Sequence, residues 1–310
     1  MTKILICDPI HPDGPALLRK AGFEVEEAPT ITPDQIQGRI AEFDAVIVRG
    51  RTKITASVLN AAPRLKVVAR SGVGLDNVDV VAAQQKSIRV ISTPEAPTTS
   101  VAELTIGLML TVLRKISYAD RTIKEGKWVK NELMGQELKT KTVGIVGAAG
   151  RIGLEVARIA VQGFGCRVVG YDVIEFAERA RQVGFTAVKS LDDLLRMSDV
   201  VSIHVPYLPT THHLINETVL AKMKQGSILI NASRGDIIDG QALLNSLAAG
   251  KLLGAGLDVF HKEPPIDEWE ERLVRLPSVV CTAHVGAQTT ECQELESTQI
   301  AEQLIQIFRK

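Results

Sequence analysis

Hydrophobic positions along the chain fall into two kinds of segment. Short, evenly apolar runs at Lys3-Ile-Leu-Ile-Cys7, Asp44-Ala-Val-Ile-Val48, Leu65 to Ala69 and Ile88 to Ile91 are too brief for helices and read as strands buried on both faces. A shorter strand is expected at Phe23 to Glu26. Between these runs lie segments with a single apolar stripe, near 12–21, 33–41, 55–61 and 78–85, which read as helices. Such βα alternation predicts a parallel sheet with helices on both faces. Thr93-Pro-Glu-Ala-Pro97 interrupts the pattern, and Thr98-Thr-Ser100 can cap a long helix over about 100–125 that ends at Gly126. Strands at 142–147, 167–171, 199–203, 228–230, 254–258 and 279–281 follow, with helices between them. A last helix, about 290–308, carries apolar and small residues suited to docking back on the first domain. The expectation is an α/β protein of two doubly wound parallel-sheet domains. The first is discontinuous, built from residues 1–97 and 287–310, and the second spans 98–286.

The segment Val143-Gly-Ile-Val-Gly-Ala-Ala-Gly-Arg-Ile-Gly153 runs from strand through glycine turn into an amphipathic helix. Glycine lets backbone turn tightly and approach a pyrophosphate, while the helix start offers unpaired N–H groups and the positive end of its dipole. The strand Arg167-Val-Val-Gly-Tyr-Asp172 then ends in an acid, placed to accept hydrogen bonds from ribose hydroxyls and to repel a 2′-phosphate. This order predicts a Rossmann-like domain that takes NAD rather than NADP. The spacing is one residue longer than usual, G-x-x-G-x-x-G over Gly147, Gly150 and Gly153. The added alanine is expected to bulge, leaving Gly150-Arg-Ile-Gly153 to hold the pyrophosphate.

Composition narrows the field. The 310 residues are 45% hydrophobic and 23% charged, with Lys+Arg and Asp+Glu equal at 36, so no global field favours nucleic acid or an anionic membrane. No apolar run is long enough to span a bilayer, and Met1-Thr-Lys leads directly into a strand, which makes the cytoplasm the expected compartment. Cys7, Cys166, Cys281 and Cys292 lack metal-ligand spacing, and the three in or beside strands are expected to be reduced, buried thiols. No metal is expected.

Parallel sheets bind ligands beyond the carboxyl ends of their strands. In the first domain Arg49 and Arg51 follow one strand and Arg70-Ser71-Gly72 another, an arrangement whose guanidinium forks suit carboxylate or phosphate. In the second domain Arg234, Glu263 and His284 each follow a strand. This is the set that hydride transfer on a 2-hydroxy acid needs: arginine for the substrate carboxylate, histidine to move the hydroxyl proton, glutamate to orient the histidine. His204 is read as packing and hydrogen-bonding near the cofactor, and His212 and His213 as solvent-exposed rather than metal ligands.

These residues resemble the D-isomer-specific 2-hydroxyacid dehydrogenases over nearly the whole chain. The matching segments include Val48-Arg-Gly-Arg-Thr-Lys53, Gly72-Val-Gly-Leu-Asp-Asn-Val-Asp79, Ser100-Val-Ala-Glu103, Gly126-Lys-Trp128 with Met134-Gly-Gln-Glu-Leu138, and Gly150-Arg-Ile-Gly153. Further matches are His204-Val-Pro206, Asn231-Ala-Ser-Arg-Gly235, Leu257-Asp-Val-Phe260 with Glu263-Pro264, and His284-Val-Gly-Ala287. The resemblance implies a flavodoxin-like substrate domain, a Rossmann NAD domain and the triad Arg234, Glu263 and His284. It places the cofactor on Val73, Gly150, Arg151, Ile152, Gly153, Asp172, His204, Val205, Pro206, Thr211, Ala232, Ser233, Arg234, Asp258, His284, Gly286 and Ala287. It places substrate on Arg49, Arg51, Arg70, Ser71, Gly72, Lys130, Arg234 and His284.

The likeness is greatest to enzymes that oxidise 3-phosphoglycerate to 3-phosphohydroxypyruvate, the first step of serine biosynthesis, with glyoxylate or hydroxypyruvate reduction as the alternative. A homodimer joined through the NAD domain, or a tetramer, is implied, with hinges near Pro97 and Gly286. Because the sequence stops at Lys310, the C-terminal regulatory domains of longer relatives, and serine feedback through them, are not expected. Two departures are Pro97 in place of a polar residue and Ala283 in place of the proline before the histidine. A non-enzymatic NAD-sensing scaffold on the same fold is the reading from another class, without a disordered tail to support it.

Overall fold

The computed structural model describes residues 1–309. The chain divides into two compact units, one formed by Met1–Pro97 with the chain from Ala287 onward, the other by Thr98–Gly286. In the first unit β1 (Lys3–Ile6), α1 (Asp13–Lys20), β2 (Glu24–Glu27), α2 (Pro33–Arg39), β3 (Ala45–Val48), α3 (Ala56–Asn60), β4 (Val67–Arg70), α4 (Val80–Gln85) and β5 (Arg89–Ser92) follow one another. The strands form a parallel sheet in the order β2-β1-β3-β4-β5.

The near-uniform hydrophobicity of β1, β3 and β4 has a direct cause, since both faces are covered. Leu5, Val46, Val48 and Val68 pack with Ile36, Val58 and Ala83 on one side. Ile4, Ile6, Ala45, Ile47 and Ala69 pack with Leu18, Ile300 and Leu304 on the other. Local signals set the helix starts. Thr32 and Gln35 cap α2 reciprocally, with Pro33 in its first turn.

The second unit contains α5 (Thr98–Arg114), α6 (Ile116–Lys124), β6 (Thr142–Val146), α7 (Arg151–Arg158), β7 (Arg167–Tyr171), α8 (Ala177–Val183), β8 (Thr186–Ala187) and α9 (Leu191–Met197). It continues with β9 (Val200–Ile203), α10 (Glu217–Lys222), β10 (Ser227–Asn231), α11 (Gly240–Ala248), β11 (Leu252–Leu257), α12 (Glu268–Val274) and β12 (Val279–Cys281). The seven strands run parallel in the order β12-β11-β10-β9-β6-β7-β8. Strand order therefore reverses between β6 and β9, the switch point where such sheets open a crevice for ligand. The final helix α13 (Thr290–Phe308) belongs to the first unit and packs along α1.

Three expectations need correction. The helix expected over 100–125 is two helices, broken at Lys115, whose backbone is left-handed with φ of 53°. The carbonyl of Leu113, which a continuous helix would pair with a later turn, accepts the N–H of Gln136 at 3.0 Å instead. The two-residue strand β8 is absent from the sequence reading because it is too short to carry a period. Cys281, expected buried, is exposed at the end of the edge strand β12, whereas Cys7, Cys166 and Cys292 are buried and all four are free thiols. Among the described residues no helix is long and apolar enough to cross a membrane.

Candidate active site

The glycine turn of the second unit absorbs its extra residue in a bulge. The N–H groups of Gly147 and Ala148 both donate to the carbonyl of Tyr171, at 2.9 and 3.2 Å, so two residues oppose one. Gly150 N–H then closes back on Gly147 O at 3.1 Å, and α7 begins at Arg151 with Gly150 as its cap. Ala148 and Ala149 are buried. Ala149 N–H is held by Asp172 Oδ2 at 2.8 Å, while Asp172 Oδ1 takes the N–H of Ile174 at 3.1 Å.

The glycines are required by close approach. At Gly147, with φ of 90°, a Cβ would meet His204 O at 2.5 Å, and at Gly153 one would meet Gly147 O at 2.3 Å. A helix start offers N–H groups without an acceptor in its own helix, and that of α7 follows directly on the glycine turn. A dinucleotide fits this donor set: a narrow backbone cradle, a helix start for the pyrophosphate, and a strand-end carboxylate for a ribose.

Apart from Val73 and Ala287 in the first unit, the remaining cofactor candidates lie beyond the carboxyl ends of the same sheet. Val205 and Pro206 follow β9, and Thr211 closes their loop by donating to Pro206 O at 2.7 Å. His204 donates to or accepts from Ser202 Oγ at 2.8 Å. The residue is partly buried, and burial pushes its pKa down to about 4, so it is neutral at physiological pH, in keeping with a packing role. His212 and His213 stack on one another at 3.9 Å beside Tyr207, on the loop between β9 and α10.

After β10, buried Asn231 clamps the Ala232-Ser233-Arg234 loop. Its Nδ2 donates to Arg234 O at 2.9 Å, and its Oδ1 accepts both N–H and Oγ–H of Ser233 at 3.0 and 2.7 Å. Gly235 follows because a Cβ there would lie 2.0 Å from Phe260 O.

Buried Asp258, just after β11, organises the histidine loop. One carboxylate oxygen accepts Thr282 Oγ–H at 2.6 Å and Val285 N–H at 2.8 Å, and the other accepts Gly286 N–H at 2.9 Å. Its carbonyl takes His284 N–H at 2.8 Å, and Ser100 Oγ–H caps Gly286 O at 2.5 Å. His284 itself is left-handed, with φ of 52°. This bracing holds a side chain that is 46% exposed, open to a ligand, while its Nδ1 meets Glu263 Oε2 at 2.7 Å. Glu263 is fixed from its other oxygen by Phe260 N–H at 3.3 Å. Burial alone would raise its pKa. The hydrogen bond and charge of His284, the Phe260 N–H and the charge of Arg234 outweigh that, and the carboxyl sits below its ordinary value. The structure thus brings Arg234, Glu263 and His284 into one electrostatic group.

In the first unit Gly72 N–H is held by Thr93 Oγ at 2.8 Å, and its own φ of 125° leaves room for the Arg70 guanidinium, which a Cβ would displace. Ser71 N–H joins Val48 O. Arg49 stands beside Asp8 through its backbone N–H, at 2.6 Å. Arg51 is used differently from the sequence expectation. Its guanidinium donates to Cys7 O, Pro29 O and Ile31 O at 2.6 to 2.9 Å and pairs with Asp8 at 3.2 Å, which ties the loop to β1. Val73 is exposed on the same loop as Gly72, and Ala287 begins the return into this unit. Lys130 lies exposed in the second unit, in a turn of 3-10 helix. Away from these groups, His11, Asp13 and Glu294 bring possible ligand atoms within 4.8 Å, with both acids exposed.

Sequence reasoning missed Glu296, a nearly fully buried acid on α13 facing Arg49. The available signal was a carboxylate at a helix position whose neighbours Ile300 and Leu304 are core. It also missed the bracing roles of Asn231 and Thr282.

Residues 106–286 match the model of the D-isomer specific 2-hydroxyacid dehydrogenase NAD binding domain. A D-3-phosphoglycerate dehydrogenase of Methanocaldococcus jannaschii is 41% identical over 100% of this chain, which spans 58% of that relative's length. A hydroxypyruvate reductase of Thermotoga maritima is 42% identical over 97% of both chains. The structure of a D-lactate dehydrogenase from Aquifex aeolicus, complexed with NAD and lactic acid, aligns with a TM-score of 0.84 and 28% identity, covering 99% of this chain and 94% of that one. The chain belongs to the D-isomer specific 2-hydroxyacid dehydrogenase family, and its second unit contains that family's NAD-binding domain.

Proposed function

We propose that the chain is an NAD-dependent dehydrogenase of D-2-hydroxy acids and that it acts on 3-phosphoglycerate. The observation that carries the reading is the His284–Glu263 hydrogen bond with the Arg234 charge beside it, braced by Asp258. Bound NAD supplies the acceptor for the hydride. With Nδ1–H given to Glu263, His284 keeps its Nε2 lone pair for the substrate hydroxyl proton. As that proton arrives, the Glu263 carboxylate stabilises the imidazolium. Arg234 pairs with the substrate carboxylate and draws charge from the forming carbonyl. In reduction the same proton returns from Nε2. Gly150, Arg151, Ile152 and Gly153 would hold the pyrophosphate and Asp172 a ribose.

For the substrate, the name of the Methanocaldococcus relative and the cationic Arg49, Arg70 and Lys130 support a phosphorylated acid. A second reading, reduction of hydroxypyruvate, is favoured by the Thermotoga relative and by Arg51 being committed to backbone carbonyls. Initial rates with 3-phosphoglycerate, glycerate, lactate and 2-hydroxyglutarate separate the two. We expect the highest kcat/KM for 3-phosphoglycerate, and no advantage over glycerate would overturn that choice.

Assembly is proposed as a homodimer through the second unit. Ile116, Ile123, Trp128 and Met134 lie exposed by 49, 53, 81 and 85% along α6 and the segment after it, an apolar patch of the kind that partners cover. Sedimentation should give twice the chain mass, and Trp128→Glu should shift it toward monomer. A monomeric parent protein would reject the assignment.

A further inference from the structure

Glu296 lies on α13 at 1% exposure, far along the chain from the residues it faces. Its Oε2 is 3.6 Å from Nε of Arg49 and makes no hydrogen bond. Its Oε1 is 3.7 Å from the Cys292 thiol. Arg70, at the end of β4, is close enough for its charge to act on the same carboxyl. A desolvated carboxylate with one bare oxygen is an expensive way to pack a helix, and Ile300, Ala301 and Leu304 do that job nearby with apolar groups. The acid is placed against the two arginines proposed above to receive the substrate's anionic groups.

We infer that Glu296 is a positioning residue that sets the charge of this anion site, so that an incoming anion competes with it for Arg49 and Arg70 and is bound together with a proton from solvent. The inference rests on the reading of Arg49 and Arg70 as substrate residues. While ionised, Glu296 offsets part of the arginine field. When an anion takes over that field, the carboxylate loses its compensation and binds a proton. Burial drives its pKa up, against the lowering effects of Arg49, Arg70 and the Cys292 thiol, which is the direction that proton uptake requires.

The surrounding groups leave the exchange to these partners. From its own helix Cys292 faces the carboxyl, and from the ends of β3 and β4 come Arg49 and Arg70. At the end of β1, Asp8 engages Arg49 N–H and the Arg51 guanidinium. Against α13, α1 presents Gly14, which touches Ser297, and β5 presents the Ser92 carbonyl, held by Gln303. The ligand class that follows is a multiply charged anion whose affinity falls as pH rises.

The test is sulfate binding to the full chain by calorimetry, in buffers of different ionisation enthalpy, beside KM and kcat measured across pH. The parent should take up part of a proton per sulfate, with affinity falling by up to about tenfold per pH unit, the limit for one linked proton. Glu296→Gln should lose that uptake and bind sulfate several-fold tighter at the alkaline end. Its KM should drop there while kcat stays within about twofold. Glu296→Asp, which keeps the acid but withdraws it, should retain uptake with a shifted pH midpoint, and it decides the matter if Glu296→Gln does not fold. Unchanged uptake and pH profile in these variants, with Arg49→Gln weakening sulfate, would overturn the role of Glu296 and leave the arginine site standing. Unchanged sulfate affinity and KM in both Arg49→Gln and Arg70→Gln would overturn the arginine site and this inference with it.

Discussion

Two histidines show how environment divides one chemistry into two tasks. His284, half exposed and bonded to Glu263, is free to exchange a proton with a ligand. His204, packed under the glycine turn with Ser202, is held neutral. That difference is a stability statement. An unfolded histidine gains its proton near 6.5, whereas folded His204 resists until about 4. Between those values the unfolded state binds more protons, so stability is intact above about 6.5 and is lost as pH falls toward about 4. The upper limit is roughly 3 kcal/mol for a shift of this size. Denaturant titrations should show His204→Gln with a flatter stability profile across this window than the parent, and parallel profiles would remove the argument. Glu263 behaves in the opposite sense to a buried acid. Its lowered pKa keeps it ionised through neutrality, so its support of His284 fails only as pH drops through the acid range.

At the scale of elements, the strand-to-helix connections carry the site, and here glycine geometry sets the tolerance. Gly153 sits where α7 crosses the turn, and a methyl group there would press on Gly147 O and the Ala148 backbone. We expect Gly153→Ala to cost about 1–3 kcal/mol through forced backbone movement and to weaken NAD binding at least tenfold. Thermal melts and fluorescence titration with NADH check this, and unchanged values in both would contradict the close-packed turn. The turn was legible in sequence because glycine spacing and strand hydrophobicity are local. The way it absorbs its extra alanine was legible only in outline, since the bulge depends on Tyr171 O and Asp172 on a neighbouring strand. The break at Lys115 was not legible at all. Capture of Leu113 O by Gln136 is a tertiary event that no helix propensity encodes.

At the scale of the molecule, two parallel sheets place the candidate residues at strand ends, and this rule let Arg234, Glu263 and His284, which the structure brings together, be named as candidates from their order along the chain. Roles that depend on distant partners escaped it. Asp258 serves as the brace of the His284 loop only because β11 and β12 are adjacent in the sheet. Glu296 meets Arg49 only because α13 returns to the first unit. Arg51 illustrates the reverse case, a loop cation that the fold engages on the Cys7, Pro29 and Ile31 carbonyls while its side chain stays half exposed.

His284, oriented by Glu263, is proposed to move the proton in an NAD-dependent oxidation of a D-2-hydroxy acid. The most direct measurement follows NADH formation by the parent and by His284→Ala, with NADH affinity determined on the same samples. We expect a fall in kcat of about 10²- to 10⁴-fold, the usual worth of a positioned general base, with NADH affinity within a few-fold of the parent. Turnover at the parent's rate by His284→Ala would contradict it.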